Sequence, residues 1–219
     1  MQESTLHANL KQFYTQDGGF AEWWVDGYII DVFKDGMLIE IQTGNFSAIK
    51  TKLERLLEKH PLRLVYPIAR EKYIVLRDME HLLLWRRRSP RKGRMEHVFN
   101  ELVFITQFIA HPNFSLELIF ICEEEERIRD GLGSWRRKGV SILDRKLAGI
   151  FEREVFLTAA DYRGFIPVSM PAEFTNAELS SELKISKRLA SKLTYCLATI
   201  GLLKKNARRG NAYLYKRTF

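Results

Sequence analysis

Three carboxylates near the N-terminus have the spacing needed to stand side by side on a β-sheet. Asp31 and Glu40 lie in apolar runs on either side of Asp35-Gly36, and Glu22 precedes a second such dipeptide, Asp26-Gly27. Asp-Gly between apolar runs favours a two-residue hairpin, because a type I′ turn needs positive φ at both central residues. Counting outward from the two turns places Glu40 opposite Asp31, and Asp31 opposite Glu22.

A row of carboxylates across neighbouring strands favours a bound cation. Adjacent strands lie about 4.8 Å apart, and like charges directly opposite each other destabilise a sheet. Hard divalent ions such as Mg²⁺ or Mn²⁺ prefer oxygen ligands and would relieve that repulsion. Gln42 follows Glu40 by two residues and projects from the same face. Two alternatives stay open: Asp31 and Glu40 lie on a solvated face, or a one-residue slip removes Glu22 from the row.

The segment 30–50, I-D-V-F-K-D-G-M-L-I-E-I-Q-T-G-N-F-S-A-I-K, resembles the PD-(D/E)xK nuclease superfamily. Its signature is an aspartate on the second strand of a hairpin, Glu-x-Lys on the next strand, and then a helix. Asp31 matches the aspartate, and Glu40-Ile41-Gln42 matches the second element with glutamine in place of lysine. The resemblance covers about residues 1–80.

The resemblance implies roles for the matching residues. Asp31 and Glu40 would hold Mg²⁺ together with the Ile41 carbonyl, and Glu22 would complete the shell or position water. The metal would polarise the scissile phosphate and lower the pKa of a bound water. The implied activity is that of a metal-dependent DNA endonuclease.

The glutamine in the motif leaves a second interpretation open. Gln42 would hold the nucleophile or stabilise the pentavalent phosphate, and Lys50 or Lys52 from the following helix is an alternative source of positive charge. Without the usual lysine, the chain also fits a catalytically inactive protein of the nuclease fold that binds DNA or regulates another process.

The last 47 residues, 173–219, resemble a winged helix-turn-helix. A capped helix, a turn, a longer helix and a strand-turn-strand follow one another. In this arrangement the second helix enters the major groove. The alternative is a protein–protein module. The residues that the resemblance implies for DNA binding are Lys187, Arg188 and Lys192 on the recognition helix, and Lys204, Lys205, Arg208 and Arg209 on the wing.

The formal net charge of +8 is concentrated in this C-terminal segment. Residues 173–219 hold ten Lys/Arg against three Glu, a net of +7, whereas residues 1–172 hold 25 Lys/Arg against 24 Asp/Glu, a net of +1. A basic module on a nearly neutral body favours a polyanionic partner, and nucleic acid fits better than a membrane surface.

Two further basic runs lie at 86–94 and 136–138. Runs of this kind form either solvated loops or contacts with a DNA backbone, and the sequence leaves both open. The histidines at positions 7, 81, 97 and 111 have no metal-like spacing and receive no role.

The remaining composition indicates a soluble, cytoplasmic, nucleoid-associated protein. No apolar run approaches the roughly 20 residues of a membrane helix, and the N-terminus lacks the apolar core of a signal peptide. Cys122 and Cys196 are expected to be free thiols. DNA is the expected partner, no membrane partner is expected, and a homodimer is left open.

The expected fold class is α/β: a restriction-endonuclease-like mixed sheet flanked by helices, plus a small C-terminal winged-helix domain. Pro167 and Pro171 mark the boundary between domains 1–168 and 169–219. The other predicted elements are helices over 4–14, 47–59 and 94–110, strands over 62–68, 72–76 and 114–122, and a helical region over 140–165.

Overall fold

A large mixed sheet flanked by helices dominates the computed structural model, which describes residues 4–16 and 18–219. The expected α/β class is therefore confirmed. Its seven strands run in the order β1-β2-β3-β4-β6-β7, with β5 paired to β4. They are β1 (Phe20–Val25), β2 (Tyr28–Lys34), β3 (Met37–Ile41), β4 (Leu62–Arg77), β5 (Leu83–Arg88), β6 (Phe114–Arg129) and β7 (Val140–Phe156).

The α-helices and a small second sheet complete the fold. The second sheet has the order β8-β10-β9. Its strands are β8 (Glu173–Phe174), β9 (Leu203–Arg209) and β10 (Ala212–Arg217). The α-helices are α1 (Thr5–Thr15), α2 (Lys50–Leu56), α3 (Phe99–Leu102), α4 (Asn176–Leu183) and α5 (Lys187–Thr199), and 3₁₀ turns cover Phe46–Ile49, Met95–Val98, Thr106–Phe108, Trp135–Arg137 and Ala159–Phe165.

The chain divides into two units that are interleaved along the sequence. Unit 1 comprises residues 1–43, 65–94 and 118–154, and unit 2 comprises 44–64, 95–117 and 155–219. Each unit collects distant segments, which a sequence boundary does not reveal. The predicted division at 168/169 stays a prediction.

Both predicted hairpin turns are present. Asp26 and Gly27 have φ of 46° and 83°, and Asp35 and Gly36 have φ of 50° and 76°. Positive φ at both central residues is the type I′ condition. The expected strand register next to the turns is therefore confirmed: Val25 pairs with Tyr28, Trp24 with Ile29, Trp23 with Ile30, Lys34 with Met37, and Phe33 with Leu38.

Helix α1 packs one apolar face against the sheet of unit 1. Ser4 caps the helix, since its hydroxyl accepts from the His7 amide at 3.4 Å. Leu6, Leu10 and Tyr14, each about one turn apart, are buried. Burying each of these side chains contributes about 2 kcal/mol. Their cluster includes Val32, Ile39, Ile41, Val65, Ile119 and Ile121.

The prediction of a helical region over 140–165 is wrong for most of its length, because strand β7 occupies Val140–Phe156. Leu143, Leu147 and Phe151 lie four residues apart. That spacing puts side chains on one face of a helix, but four is also an even number, so it puts them on one face of a strand. The long neighbouring strand β6 supplies the partner that makes the strand stable.

The predicted helix 94–110 is broken into the short α3 and two 3₁₀ turns. Thr106 Oγ1 donates to the carbonyls of Leu102 and Val103, both at 3.1 Å. Such local bonds offer the backbone an alternative to a continuous helix. The two predicted strands at 62–68 and 72–76 form one strand, β4, and the strand predicted at 114–122 continues to Arg129.

Strand β6 carries buried glutamates that a lysine of β4 neutralises. Lys72 Nζ lies 2.8 Å from Glu123 Oε1 and also contacts Glu125. Arg127 Nη2 lies 2.5 Å from Glu125 Oε1. Burial acts to raise the pKa of Glu125, but the hydrogen bonds from Lys72 and Arg127 outweigh it, and the pKa lies below its ordinary value.

We expect Lys72→Met to lower the free energy of unfolding by about 3 kcal/mol at pH 7, because it leaves buried carboxylates without their main counter-charge. Arg70→Met is the matched control. Arg70 lies on the same strand as Lys72, but its pair with Glu152 is about half exposed, and such pairs contribute under about 1 kcal/mol. Urea unfolding measures both.

The lowered pKa of Glu125 also makes the free energy of unfolding depend on pH. Its contribution is present above the ordinary carboxyl pKa and is lost as pH falls through the folded-state pKa. The difference in the free energy of unfolding between wild type and Lys72→Met should therefore become smaller in acid. If Lys72→Met and Arg70→Met lowered the free energy of unfolding equally at pH 7, this account would be contradicted.

Candidate functional site

The Asp31 carboxylate, the centre of the predicted site, is held by the neighbouring strand. The paired residues of β2 and β3 extend from Lys34–Met37 to Val32–Ile39. At the next position Asp31 Oδ2 accepts from the Ile41 amide at 2.8 Å. The Asp31 side chain is only 17% exposed, so this bond is shielded from water and fixes the carboxylate against β3.

His7 on α1 contacts two of the three predicted metal ligands, Asp31 and the Ile41 carbonyl. Its Nε2 lies 3.2 Å from Asp31 Oδ2 and 3.0 Å from the Ile41 carbonyl oxygen. A carbonyl and an ionised carboxylate only accept hydrogen bonds, so the imidazole proton must be on Nε2. His7 is thus a donor shared by two of the oxygens that the resemblance assigns to a metal.

No pattern in the sequence assigned His7 a role. Asp31 and Ile41 lie 24 and 34 residues away from it along the chain. Local spacing carries no signal over such separations. Packing of the apolar face of α1 on the sheet is what brings the first turn of the helix to this position.

Glu22 lies opposite Asp31 by register, between the pairs Ala21–Val32 and Trp23–Ile30. Its backbone, however, has φ of 53°, which interrupts the regular strand. The side chain is 68% exposed and pairs with Lys11 Nζ at 3.1 Å. The structure therefore brings Glu22 to Lys11, and its predicted role beside Asp31 has no supporting contact.

Two of the remaining predicted residues, Glu40 and Gln42, lie at the end of β3. Glu40 is buried, with 5% exposure. Gln42 is half-buried, and its amide donates to the Val65 carbonyl at 2.9 Å, which links the end of β3 to β4. Lys50 and Lys52 begin α2, which belongs to unit 2. The catalytic roles of these residues stay predictions.

A cleft of about 1010 Å³ in unit 1 opens beside His7 and Asp31 and is also lined by Lys11, Asp144 and Arg145. Asp144 Oδ1 accepts from the Thr5 amide at 3.1 Å, at the first turn of α1. Burial acts to raise the pKa of Asp144, but hydrogen bonds from Thr5 and the Arg145 amide outweigh it and lower the pKa. The cleft wall therefore carries charges of both signs.

The donor set as arranged does not fit a preformed Mg²⁺ site. Asp31 and the Ile41 carbonyl converge on one point, but His7 Nε2 occupies it. A cation would have to approach these oxygens to about 2.1 Å, where the imidazole proton already is. Within residues 4–16 and 18–219, no three His, Cys, Asp or Glu side chains are grouped as metal ligands.

The C-terminal segment of unit 2 forms the predicted pair of helices. Thr175 and Glu178 make a capping box at the start of α4, and Ser186 caps α5 by accepting from the Leu189 amide at 3.2 Å. Lys184 in the left-handed conformation, with φ of 52°, reverses the chain between the helices. The buried face of α5 includes Leu189, Leu193, Cys196 and Leu197.

The predicted DNA-binding cations divide into two groups. Lys192 Nζ donates to the carbonyl and side-chain oxygens of Asn100, both at 3.1 Å, and lies over the Phe104 ring. It therefore holds α5 to a neighbouring part of unit 2. The residues that are exposed are Lys187, Arg188, Lys204, Lys205, Arg208 and Arg209.

Two of the exposed arginines have partners within the same segment. Arg208 Nη2 donates to Tyr213 Oη at 2.7 Å across the β9–β10 hairpin. Arg209 Nη1 lies 2.8 Å from Glu178 Oε1, in a pair that is about half exposed. Exposed pairs contribute little to stability, so both side chains can exchange these partners for a ligand.

Comparisons with known proteins place the chain in a family without assigning an activity. Residues 4–157 match the family described as "Domain of unknown function (DUF8091)", and the chain belongs to that family. It is also similar to an uncharacterized protein of Treponema pallidum (strain Nichols), with 27% identity over 217 residues, covering 98% of this chain and 85% of the relative. No solved structure matches the chain.

The family match ends at residue 157, before the helices of the C-terminal segment. The similarity to the Treponema protein spans 217 residues and therefore includes most of that segment. In addition, none of the helices that the structure describes is long and apolar enough to cross a membrane.

We expect His7→Ala to lower the free energy of unfolding by about 1–3 kcal/mol, because it removes the side-chain donor that the buried Ile41 carbonyl and the shielded Asp31 carboxylate share. His7→Gln keeps an N–H donor on the side chain and should recover part of the loss. Denaturant unfolding of the three proteins tests this, and a His7→Ala variant as stable as wild type would show that the shared donor contributes nothing.

Proposed function

We propose that the protein binds duplex DNA through residues 173–219, as a winged helix-turn-helix. The observation that carries the proposal is the exposed pair Lys187 and Arg188 at the first turn of α5. In a helix-turn-helix, the N-terminal residues of the second helix contact the base edges. The hairpin β9–β10 follows α5 directly, as a wing does.

The faces of α5 support this arrangement. Its apolar side is buried within the unit, and Lys187, Arg188, Ser191 and Tyr195 form an exposed stripe at helical spacing. Cations and hydrogen-bonding side chains on one exposed face suit a groove lined by phosphates and base edges. A protein partner would favour an apolar face at this position.

The charge distribution agrees with a polyanionic partner. Residues 173–219 carry a net of +7, from ten Lys/Arg and three Glu. Cations that neutralise phosphates release condensed counterions, which supplies most non-specific affinity for DNA. A cytoplasmic, nucleoid-associated location belongs to the same proposal.

We expect Lys187→Gln/Arg188→Gln to weaken duplex binding and to lower the salt slope, d log K/d log[salt], by about 1.8, because each lost phosphate contact removes about 0.9 from it. Lys192→Gln removes a charge from the same helix but one that faces Asn100, so it should leave the slope unchanged. Anisotropy titrations of a labelled duplex at several salt concentrations measure both.

Point variants suit this test better than truncation at residue 173, because unit 2 includes residues 155–219 together with two earlier segments. Circular dichroism controls for folding of each variant. Equal salt slopes for wild type and the double variant would contradict DNA binding by α5.

A second candidate function is that of a metal-dependent DNA endonuclease with the restriction-endonuclease-like fold. Two observations favour it. The elements α1, β1, β2, β3, α2 and β4 follow in the order that the resemblance implies. Asp31 Oδ2 and the Ile41 carbonyl converge on a single point, and the buried Glu40 precedes Ile41 on the same strand.

The position of His7 favours the non-catalytic alternative over the endonuclease. The two oxygens already share the His7 N–H, and the motif has Gln42 where lysine is usual. We therefore infer that the protein binds DNA without a preformed metal centre, and that Mg²⁺ or Mn²⁺ competes with His7 for the same oxygens.

Metal-dependent thermal stability separates these candidates, since a ligand that binds the folded state must raise its stability. We expect Mn²⁺ to leave the Tm of wild type unchanged and to raise that of His7→Ala, in which the shared position is vacated. Adding Asp31→Asn should abolish the increase. A Mn²⁺-dependent rise in wild-type Tm, with DNA nicking that Asp31→Asn and Glu40→Gln both abolish, would establish the endonuclease instead.

A further inference from the structure

The two basic runs whose role the sequence left open contribute to one cleft in unit 1. The cleft has a volume of about 500 Å³, within the range of small-molecule sites. Its other lining residues are Leu76, Trp85 and Val140, and none of the described lining residues is acidic. Six cations line it: Arg87, Arg127, Arg129, Arg136, Arg137 and Lys138.

These cations lie on three segments of the chain: β5, β6 and the connection between β6 and β7. Arg87 lies on β5, and Arg127 and Arg129 lie two residues apart on one face of β6. The others lie in the connection to β7, which is closed by a hydrogen bond of 2.9 Å from the Gly131 amide to the Gly139 carbonyl. A Cβ on Gly133 would overlap the Val140 backbone, so glycine is required for this close approach.

Most of these charges have no acidic partner. Arg127 pairs with Glu125. Among the residues that the structure describes, the other five cations have no carboxylate within ion-pair distance. A cleft lined by charges of one sign concentrates counter-ions, and the planar forks of several arginines match phosphate oxygens in pairs. The cleft is therefore suited to a ligand with more than one phosphate.

An exposed indole adjoins the cleft. Trp135 is 82% exposed, and the Arg136 guanidinium lies over its ring at 5.4 Å from the centroid. Solvation of a large apolar ring is unfavourable, and unpaired nucleic-acid bases stack on such rings. In a duplex the faces of the bases are already stacked on each other, so only an unpaired strand presents them.

We propose that this cleft binds single-stranded nucleic acid, with its phosphates on the arginines and a base stacked on Trp135. The site lies in unit 1, whereas the proposed duplex-binding helix lies in unit 2. The two proposals rest on different residues, and either can fail without the other.

The charges are tested with a fluorescein-labelled dT12 strand and the full-length protein. Arg129→Gln/Arg136→Gln should weaken binding about tenfold at 0.15 M salt and lower the salt slope by about 1.4, since each phosphate contact with a single strand contributes about 0.7. Arg91→Gln/Lys92→Gln is the matched control, because these exposed cations belong to the same basic run as Arg87 but do not line the cleft.

The stacking is tested by Trp135→Ala, which should weaken dT12 binding about 5- to 150-fold with an unchanged salt slope. Trp135→Phe keeps an aromatic ring and should retain most of the affinity. Duplex binding should be unaffected in all cleft variants, and Lys187→Gln/Arg188→Gln should bind dT12 as wild type does.

Two outcomes would overturn the proposal. In the first, Arg129→Gln/Arg136→Gln binds dT12 no more weakly than the control Arg91→Gln/Lys92→Gln. In the second, Trp135→Ala has no effect and inorganic tripolyphosphate competes as well as an equal phosphate concentration of unlabelled dT12, which would make the cleft a general polyanion site.

Discussion

The packing of α1 on the central strands is the contact on which the candidate site depends. Leu6, Leu10 and Tyr14 bury one face of the helix against β2 and β3. The same docking presents His7 to the Asp31 carboxylate and the Ile41 carbonyl, and it presents Lys11 to Glu22. The hydrophobic contact is not directional. It nevertheless fixes the position of the helix closely enough for His7 and Lys11 to reach their partners on the strands.

The sheet neutralises its buried charges in some places and leaves charges unpaired in others. On β6, Glu123 and Glu125 are buried and meet Lys72, so the low-dielectric interior contains matched charges. Four residues after Glu125, Arg129 is exposed and lines a cleft in which the cations outnumber their acidic partners. Paired charges of the first kind stabilise the fold, whereas unpaired cations of the second kind lower their electrostatic energy by binding an anion.

The two nucleic-acid surfaces that we propose rest on this distribution, and each belongs to a different unit. The exposed first turn of α5 suits a duplex groove, and the arginine cleft beside Trp135 suits an unpaired strand. A protein with both surfaces would act where duplex and single strand occur together.

The sequence determined the features that depend on neighbours along the chain. The two Asp-Gly turns, the register beside them, the α1 face and the helix pair α4–α5 all follow from local backbone preference and from spacing within one or two turns. The sequence was misleading at 140–165, because apolar residues four apart satisfy a helix and a strand equally, and only the presence of β6 decides between them.

Only the tertiary structure decided which side chains meet. Glu22 has the predicted register but the wrong backbone conformation to join Asp31, and Lys192 turns toward Asn100. His7 reaches Asp31 across 24 residues, and Arg87 joins Arg136 in one cleft across about 50. Contacts over such separations depend on how whole elements pack, and no local pattern in the chain encodes that packing.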